Sequence, residues 1–173
     1  MNLILSSPHR KILDIGPGFG KYGVLCREYC DLIPAWYEKK LNGFDQKNWQ
    51  CTIDCIEPCD KYITPLHKYI YDNIYTGKAE DIITTLGDYD LILVIGVIEH
   101  IEKLTGIRVL KDCRAKAKAV IVVTPNGFLR QDAVWDNPLE EHKSGWYPED
   151  FDILNFRWDI LRSQNKIIAY YGH

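Results

Sequence analysis

The sequence predicts an α/β fold in which a mostly parallel sheet, covered by helices on both faces, ends in an antiparallel pair of strands. Three observations predict it. A short apolar run, Ile12-Leu13-Asp14-Ile15, passes directly into a glycine-rich turn and then into a segment of helical period. Asp90-Leu91-Ile92-Leu93-Val94-Ile95 and Ala119-Val120-Ile121-Val122-Val123 are continuous apolar runs of strand length, as parallel strands buried on both faces require. Near the end of the chain, Arg157 to Leu161 and Lys166 to Tyr171 flank Ser163-Gln164-Asn165, a hairpin signal.

The 173 residues fit one domain, 1–173, and contain no internal repeat. No apolar run approaches the ~18 residues of a membrane span. The opening Met1-Asn2-Leu3-Ile4-Leu5 is short and lacks the basic flank and cleavage site of a secretory signal, so a cytoplasmic chain with no membrane partner is expected. A net charge of −3 supplies no general field for a polyanion, and no nucleic-acid partner is expected. The six cysteines show no C-x-x-C pair, and free thiols are expected. Cys51, Cys55 and Cys59 are evenly spaced, but two of them fall on a predicted strand, so the spacing reads as coincidence.

After the first strand comes Gly16-Pro17-Gly18-Phe19-Gly20. Glycines here let the chain turn tightly and approach a ligand with no Cβ in the way. A phosphate-cradling loop needs Gly-Lys-Ser/Thr, whereas Lys21-Tyr22-Gly23 follows Gly20; counted from Gly16, the dinucleotide fingerprint finds Lys21 where its third glycine belongs. What remains is Asp14-x-Gly16-x-Gly18-x-Gly20. This stretch resembles motif I of the class I S-adenosylmethionine-dependent methyltransferases. The resemblance implies a three-layer α/β/α Rossmann-like sandwich with a mixed seven-stranded sheet, order 3-2-1-4-5-7-6 and strand 7 antiparallel. It also implies S-adenosyl-L-methionine as cofactor and S-adenosyl-L-homocysteine as product, with Asp14, Gly16, Gly18 and Gly20 at the cofactor. On the residues alone, a tight turn with no ligand stays open.

Lys21 to Leu32 carries a stripe of Tyr22, Leu25, Cys26 and Tyr29, with Pro34 expected to help end the helix. Residues 35–50, with Trp36, Tyr37, Phe44 and Trp49, read as an insertion whose aromatics pack locally. Cys51 to Ile56 is the second strand and runs into Glu57-Pro58; an acidic side chain there can accept hydrogen bonds from both ribose hydroxyls. Thr64-Pro65 starts a helix reaching about Asp72, and Asn73 to Thr76 is a short strand. Gly77-Lys78-Ala79-Glu80-Asp81-Ile82 resembles the family's third-strand segment, which implies that a backbone N–H and the Asp81 carboxylate read the adenine edge, Asp81 taking the exocyclic amine, with Glu80 also at the cofactor; an Asp near a helix start is also a common cap.

The fourth strand continues into Gly96-Val97-Ile98-Glu99-His100, similar to the family's V-I-E-H motif, which sets Gly96 and Glu99 beside the cofactor. In the family's small-RNA 2′-O-methyltransferases an E-x-x-E-H set ligates a metal. Gly96 stands where the first carboxylate would be, so no metal is expected. A helix beginning near Thr105 gathers Lys111, Arg114, Lys116 and Lys118 toward its end as a solvated face. After strand five, residues 125–147 form a long connection expected on the acceptor side, with Asn126, Trp135 and Trp146 as candidate substrate contacts. Histidine is the natural general base, and His100 and His142 are the candidates. About ten residues precede strand one, too few for covering helices, so the acceptor side is expected to be open. That suits a small-molecule or glycan-type acceptor, with a homodimer mate or partner chain as cover. A non-catalytic cofactor-binding scaffold, an NAD-type oxidoreductase and a metal-dependent RNA methyltransferase are the alternatives.

Overall fold

The computed structural model describes residues 9–39 and 42–172; the opening segment discussed above lies outside them. Seven strands form one sheet: β1 (Lys11–Ile15), β2 (Thr52–Glu57), β3 (Asn73–Thr76), β4 (Tyr89–Ile95), β5 (Ala117–Pro125), β6 (Arg157–Leu161) and β7 (Lys166–Tyr171). Their order is β3-β2-β1-β4-β5-β7-β6, with β1 to β5 parallel and β7 antiparallel to both neighbours, as expected. Asp14 of β1 stands in register with Cys55 of β2 on one side and Leu93 of β4 on the other. The strand order reverses between β1 and β4, which opens a crevice beyond their carboxyl ends.

Alternate side chains of each strand serve opposite faces. Leu13, Ile15, Val94, Val120 and Val122 pack with Val109, Leu110 and Phe151 on one face, beneath α5 (Lys103–Lys116) and α6 (Pro148–Ile153). Ile12, Ile53, Leu91 and Leu93 pack with Cys26, Ile70 and Tyr71 on the other, beneath α1 (Lys21–Arg27) and α3 (Pro65–Ile70). Complete burial of each Ile, Leu or Val stabilises the fold by about 1.5–3 kcal/mol, which is what makes strand register sharp. Asp54 is buried within β2 but paired, accepting from Tyr89 Oη at 2.9 Å and Asn73 Nδ2 at 2.8 Å.

The first helix differs from expectation at its end. Pro34 does not stop it: α1 runs through a wide π-turn, Glu28–Leu32, into α2 (Ile33–Tyr37), whose first turn contains the proline. The missing N–H thus falls in a helix's first turn, where no intrahelical partner is needed. In the insertion, Trp49 stacks 4.1 Å from the buried Arg27 guanidinium, whereas Trp36 and Phe44 are exposed. Arg27 also donates to Asp31, Asp72 and the carbonyls of Ile70 and Cys51, tying the first helix to the second and third strands. All six cysteines are free thiols, and no helix among the described residues is long and apolar enough to cross a membrane.

Candidate cofactor site

The carboxyl ends of β1, β2 and β4 border a cavity of about 390 Å³. It is lined by Gly16 and Gly18 after β1, Glu57 at the end of β2, Glu80 after β3, and Gly96 and His100 after β4. Gly16 (φ 64°) lies in the left-handed region, and a Cβ there would meet Val97 Cγ2 at 2.6 Å. Gly18 (φ 54°) has nothing within 4 Å of its Cβ position, so its backbone stands open to a ligand.

A helix on the far side of the loop holds it in shape. His67, fully buried on α3, accepts the Thr64 backbone N–H on Nδ1 at 3.2 Å, which leaves the proton on Nε2, 2.8 Å from the Gly18 carbonyl. One turn further, Tyr71 donates to Asp14 Oδ2 at 2.7 Å. Asp14 is buried behind the loop and does not line the cavity; burial above all pushes its carboxyl up to about 7, against the hydrogen bonds from Tyr71 and Gly23. Sequence reasoning missed His67 and Tyr71. Their signal was a histidine at the third position after a Thr N-cap and a polar ring four residues later on a face that packs on the sheet.

Glu57 stands where expected, with Oε1 accepting the Cys59 N–H at 2.8 Å and burial raising its pKa. Pro58 lines the cavity beside it. Of the α4 pair (Ala79–Ile82), Glu80 faces the cavity while Asp81 is exposed in the first turn of that short helix. Gly20 turns the chain at the start of α1 and does not line the cavity. Glu99 is buried behind Gly96, and its Oε2 accepts from Thr124 Oγ1 at 3.0 Å.

The 125–147 connection is sewn to the end of β4. Lys143 and Ser144 donate their N–H groups to the Glu99 carbonyl at 2.7 and 3.1 Å, and Trp146 Nε1 donates to the Ile98 carbonyl at 3.1 Å. Trp146 is fully buried between α5 and Phe151, so it anchors the connection and does not face the cavity. Trp135 is 80% exposed at the rim, edge-on to Tyr62, and Asn126 pairs through its backbone with Trp146 and Asn165. Neither lines the cavity.

The same stitching brings the two candidate bases together, with ring centroids 4.7 Å apart. His142 Nδ1 lies 2.5 Å from the Leu129 carbonyl and His100 Nδ1 3.3 Å from the Glu141 carbonyl. A carbonyl can only accept, so each Nδ1 carries a proton, and in the neutral ring the lone pair is on Nε2. One ligand atom each from Glu99, His100 and His142 lie within 4.8 Å of one another. Two imidazoles held by backbone carbonyls and one carboxylate held by a hydroxyl are a donor set that fits a divalent ion, Gly96 notwithstanding.

No protein-family model matches the chain, and no curated protein matches it. Solved structures do. A protein of Nostoc punctiforme described as an O-methyltransferase superposes with a TM-score of 0.59 at 16% identity, over 98% of this chain and 54% of its own. The small RNA methyltransferase HEN1 gives 0.63 at 18%, over 99% of this chain and 24% of its own. The N-terminal domain of EvdMO1, solved in the presence of S-adenosylhomocysteine and D-fucose, gives 0.63 at 12%, over 99% and 78%. The chain thus spans about half of the first of these and a quarter of the second. In strand order, strand direction and the placing of a glycine-lined cavity at the strand ends, the chain has the fold of the class I S-adenosylmethionine-dependent methyltransferases.

Proposed function

We propose that the cavity binds S-adenosyl-L-methionine and that the chain transfers its methyl group to an oxygen or nitrogen nucleophile of a small-molecule or glycan-type acceptor. One observation carries this reading: Gly16, Gly18, Glu57, Glu80 and Gly96, drawn from the ends of four strands, converge on a single cavity. Open glycine backbone suits the amino-acid end of the cofactor, Glu57 the ribose hydroxyls, and the segment of Glu80 the adenine. Methyl transfer is an in-line displacement. The nucleophile's lone pair forms the new bond to carbon, the carbon–sulfur bond electrons return to sulfur, and the cofactor leaves as the neutral thioether.

The protein's part is to hold donor and acceptor in line and, for a hydroxyl acceptor, to take its proton. His100 lines the cavity and, as the neutral ring, offers Nε2 for that purpose; His142 packs against its ring. Titration calorimetry with S-adenosylmethionine and S-adenosylhomocysteine tests the reading. Saturable binding that Glu57→Ala weakens supports it. No binding of either compound by the parent chain overturns it, and binding without turnover of any acceptor favours the scaffold alternative.

A second reading is favoured by the Glu99, His100 and His142 cluster: a divalent ion held there would polarise an acceptor hydroxyl as a Lewis acid. Under this reading the histidines are ligands and no protein base is needed. Metal content of the purified chain after manganese or zinc loading decides between them. Stoichiometric retention lost in His142→Ala supports the ligand role, and no retention removes it.

A further inference from the structure

The far rim of the cavity is formed by residues of the 125–147 connection, expected to serve the acceptor. Asn137, Leu139 and Glu140 line it together with Glu57 and Pro58, the residues assigned above to the ribose. Asn137 Nδ2 donates to Tyr62 Oη at 2.9 Å, and the Trp135 ring meets Tyr62 edge-on at 6.2 Å. Asn137 is preset for this contact: its Oδ1 accepts the Leu139 N–H at 3.0 Å, so its amide nitrogen faces Tyr62. Across the cavity Glu140 contributes to the raised pKa of Glu57, behind burial, so the two carboxylates face one space suited to hydroxyl donors.

The connection is attached unevenly. Its stem is held by His142 N to the Gln131 carbonyl at 3.0 Å, Gln131 Nε2 to the Glu140 carbonyl at 2.7 Å and the bonds to the Glu99 carbonyl. Its tip is a tight turn from Val134 to Asn137 with Trp135 and Asp136 both in the left-handed region (φ 53° and 55°). Among the described residues, the tip meets the body of the domain at Tyr62, whose hydroxyl accepts from Asn137 and also hydrogen-bonds the Glu140 side chain.

We infer that the tip, Trp135 to Glu140, and Tyr62 form a clasp over the ribose end of the bound cofactor, which must open at the Asn137–Tyr62 contact for the cofactor to exchange. The inference rests on the cofactor assignment proposed above. It makes the acceptor connection also the gate of the cofactor, so that product release is timed by the same segment that meets the acceptor.

The test is a chase. Radiolabelled S-adenosylmethionine bound to the purified chain is displaced by excess unlabelled S-adenosylhomocysteine, and the retained label is followed on a filter. Asn137→Ala should raise the dissociation rate about fivefold, the loss of one hydrogen bond, and Tyr62→Phe at least as much, because it also loses the bond to Glu140, with unchanged melting of the free chain. The double variant should exit no faster than Tyr62→Phe, because that change already removes the hydroxyl that Asn137 reaches. Dissociation within about twofold of the parent, or effects that multiply in the double variant, overturns the clasp while leaving the cofactor assignment standing. Failure of the parent chain to retain label overturns the cofactor assignment and the clasp with it.

Discussion

Tyr71 Oη lies 2.7 Å from Asp14 Oδ2, and both groups are buried between β1 and the helix behind it. The acid of the glycine motif is therefore spent on internal structure, aimed at a phenol and at the Gly23 N–H and away from the cavity. Burial raises the Asp14 carboxyl and also the Tyr71 hydroxyl, so the pair shares one proton-rich environment.

Asp14 titrates near 3.8 in the unfolded chain and at about 7 in the fold. Between these values the folded state holds a proton that the unfolded state has lost, so stability falls as pH rises through the window and levels off above it. Asp14→Asn, which keeps an acceptor for Tyr71 but cannot ionise, should gain stability relative to the parent from pH 4 to about 7. Melting temperatures of the two chains measured side by side check it; a difference that stays flat across the window would show that Asp14 does not titrate there.

His67 should be felt at the cofactor. His67→Leu removes the donor to the Gly18 carbonyl, and His67→Gln keeps a donor amide. The loss of one such bond is worth about 1 kcal/mol, so cofactor affinity should drop about fivefold in His67→Leu and less in His67→Gln. Calorimetric titration of both variants measures it, with equal affinities counting against a positioning role.

Gly16→Ala brings a Cβ to 2.6 Å from Val97 Cγ2 and a side chain into the left-handed region. The backbone part alone costs about 1–2 kcal/mol. Val97→Ala in the same chain should recover the steric share and leave the backbone share, so a double-mutant cycle by urea unfolding should show favourable coupling.

Trp146→Ala should destabilise the chain by about 3–5 kcal/mol, the range for emptying a large aromatic site. Lys103 lies 4.0 Å over the indole and Phe151 5.8 Å from it, and both lose a partner. The same substitution leaves Ser144 Oγ as the connection's remaining donor to the Ile98 carbonyl, so protection of the Lys143 and Ser144 amides against hydrogen exchange should fall more than that of β4.

Much of the fold was readable because its signals are local. The apolar runs of β4 and β5, the glycines after β1, the acid at the end of β2 and the hairpin at β6 and β7 each occupy one short window, and parallel strands buried on both faces admit few other residues. Pro34 misled for a local reason too, since a wide turn before it removed the penalty it was expected to impose.

Periodicity and steric freedom within a few residues specify the strands, their sheet type and which turn carries the open glycine backbone. Tertiary packing alone sets which acids reach the cavity, Glu57, Glu80, Glu102 and Glu140 but neither Asp14 nor Asp81. It also decided that Trp146 is an anchor, that His100 meets His142 across the chain, and that Asn137 closes on Tyr62. These are contacts between residues far apart in sequence. They are fixed by where the long connection is stitched to the end of β4, and no window of neighbouring residues carries that information.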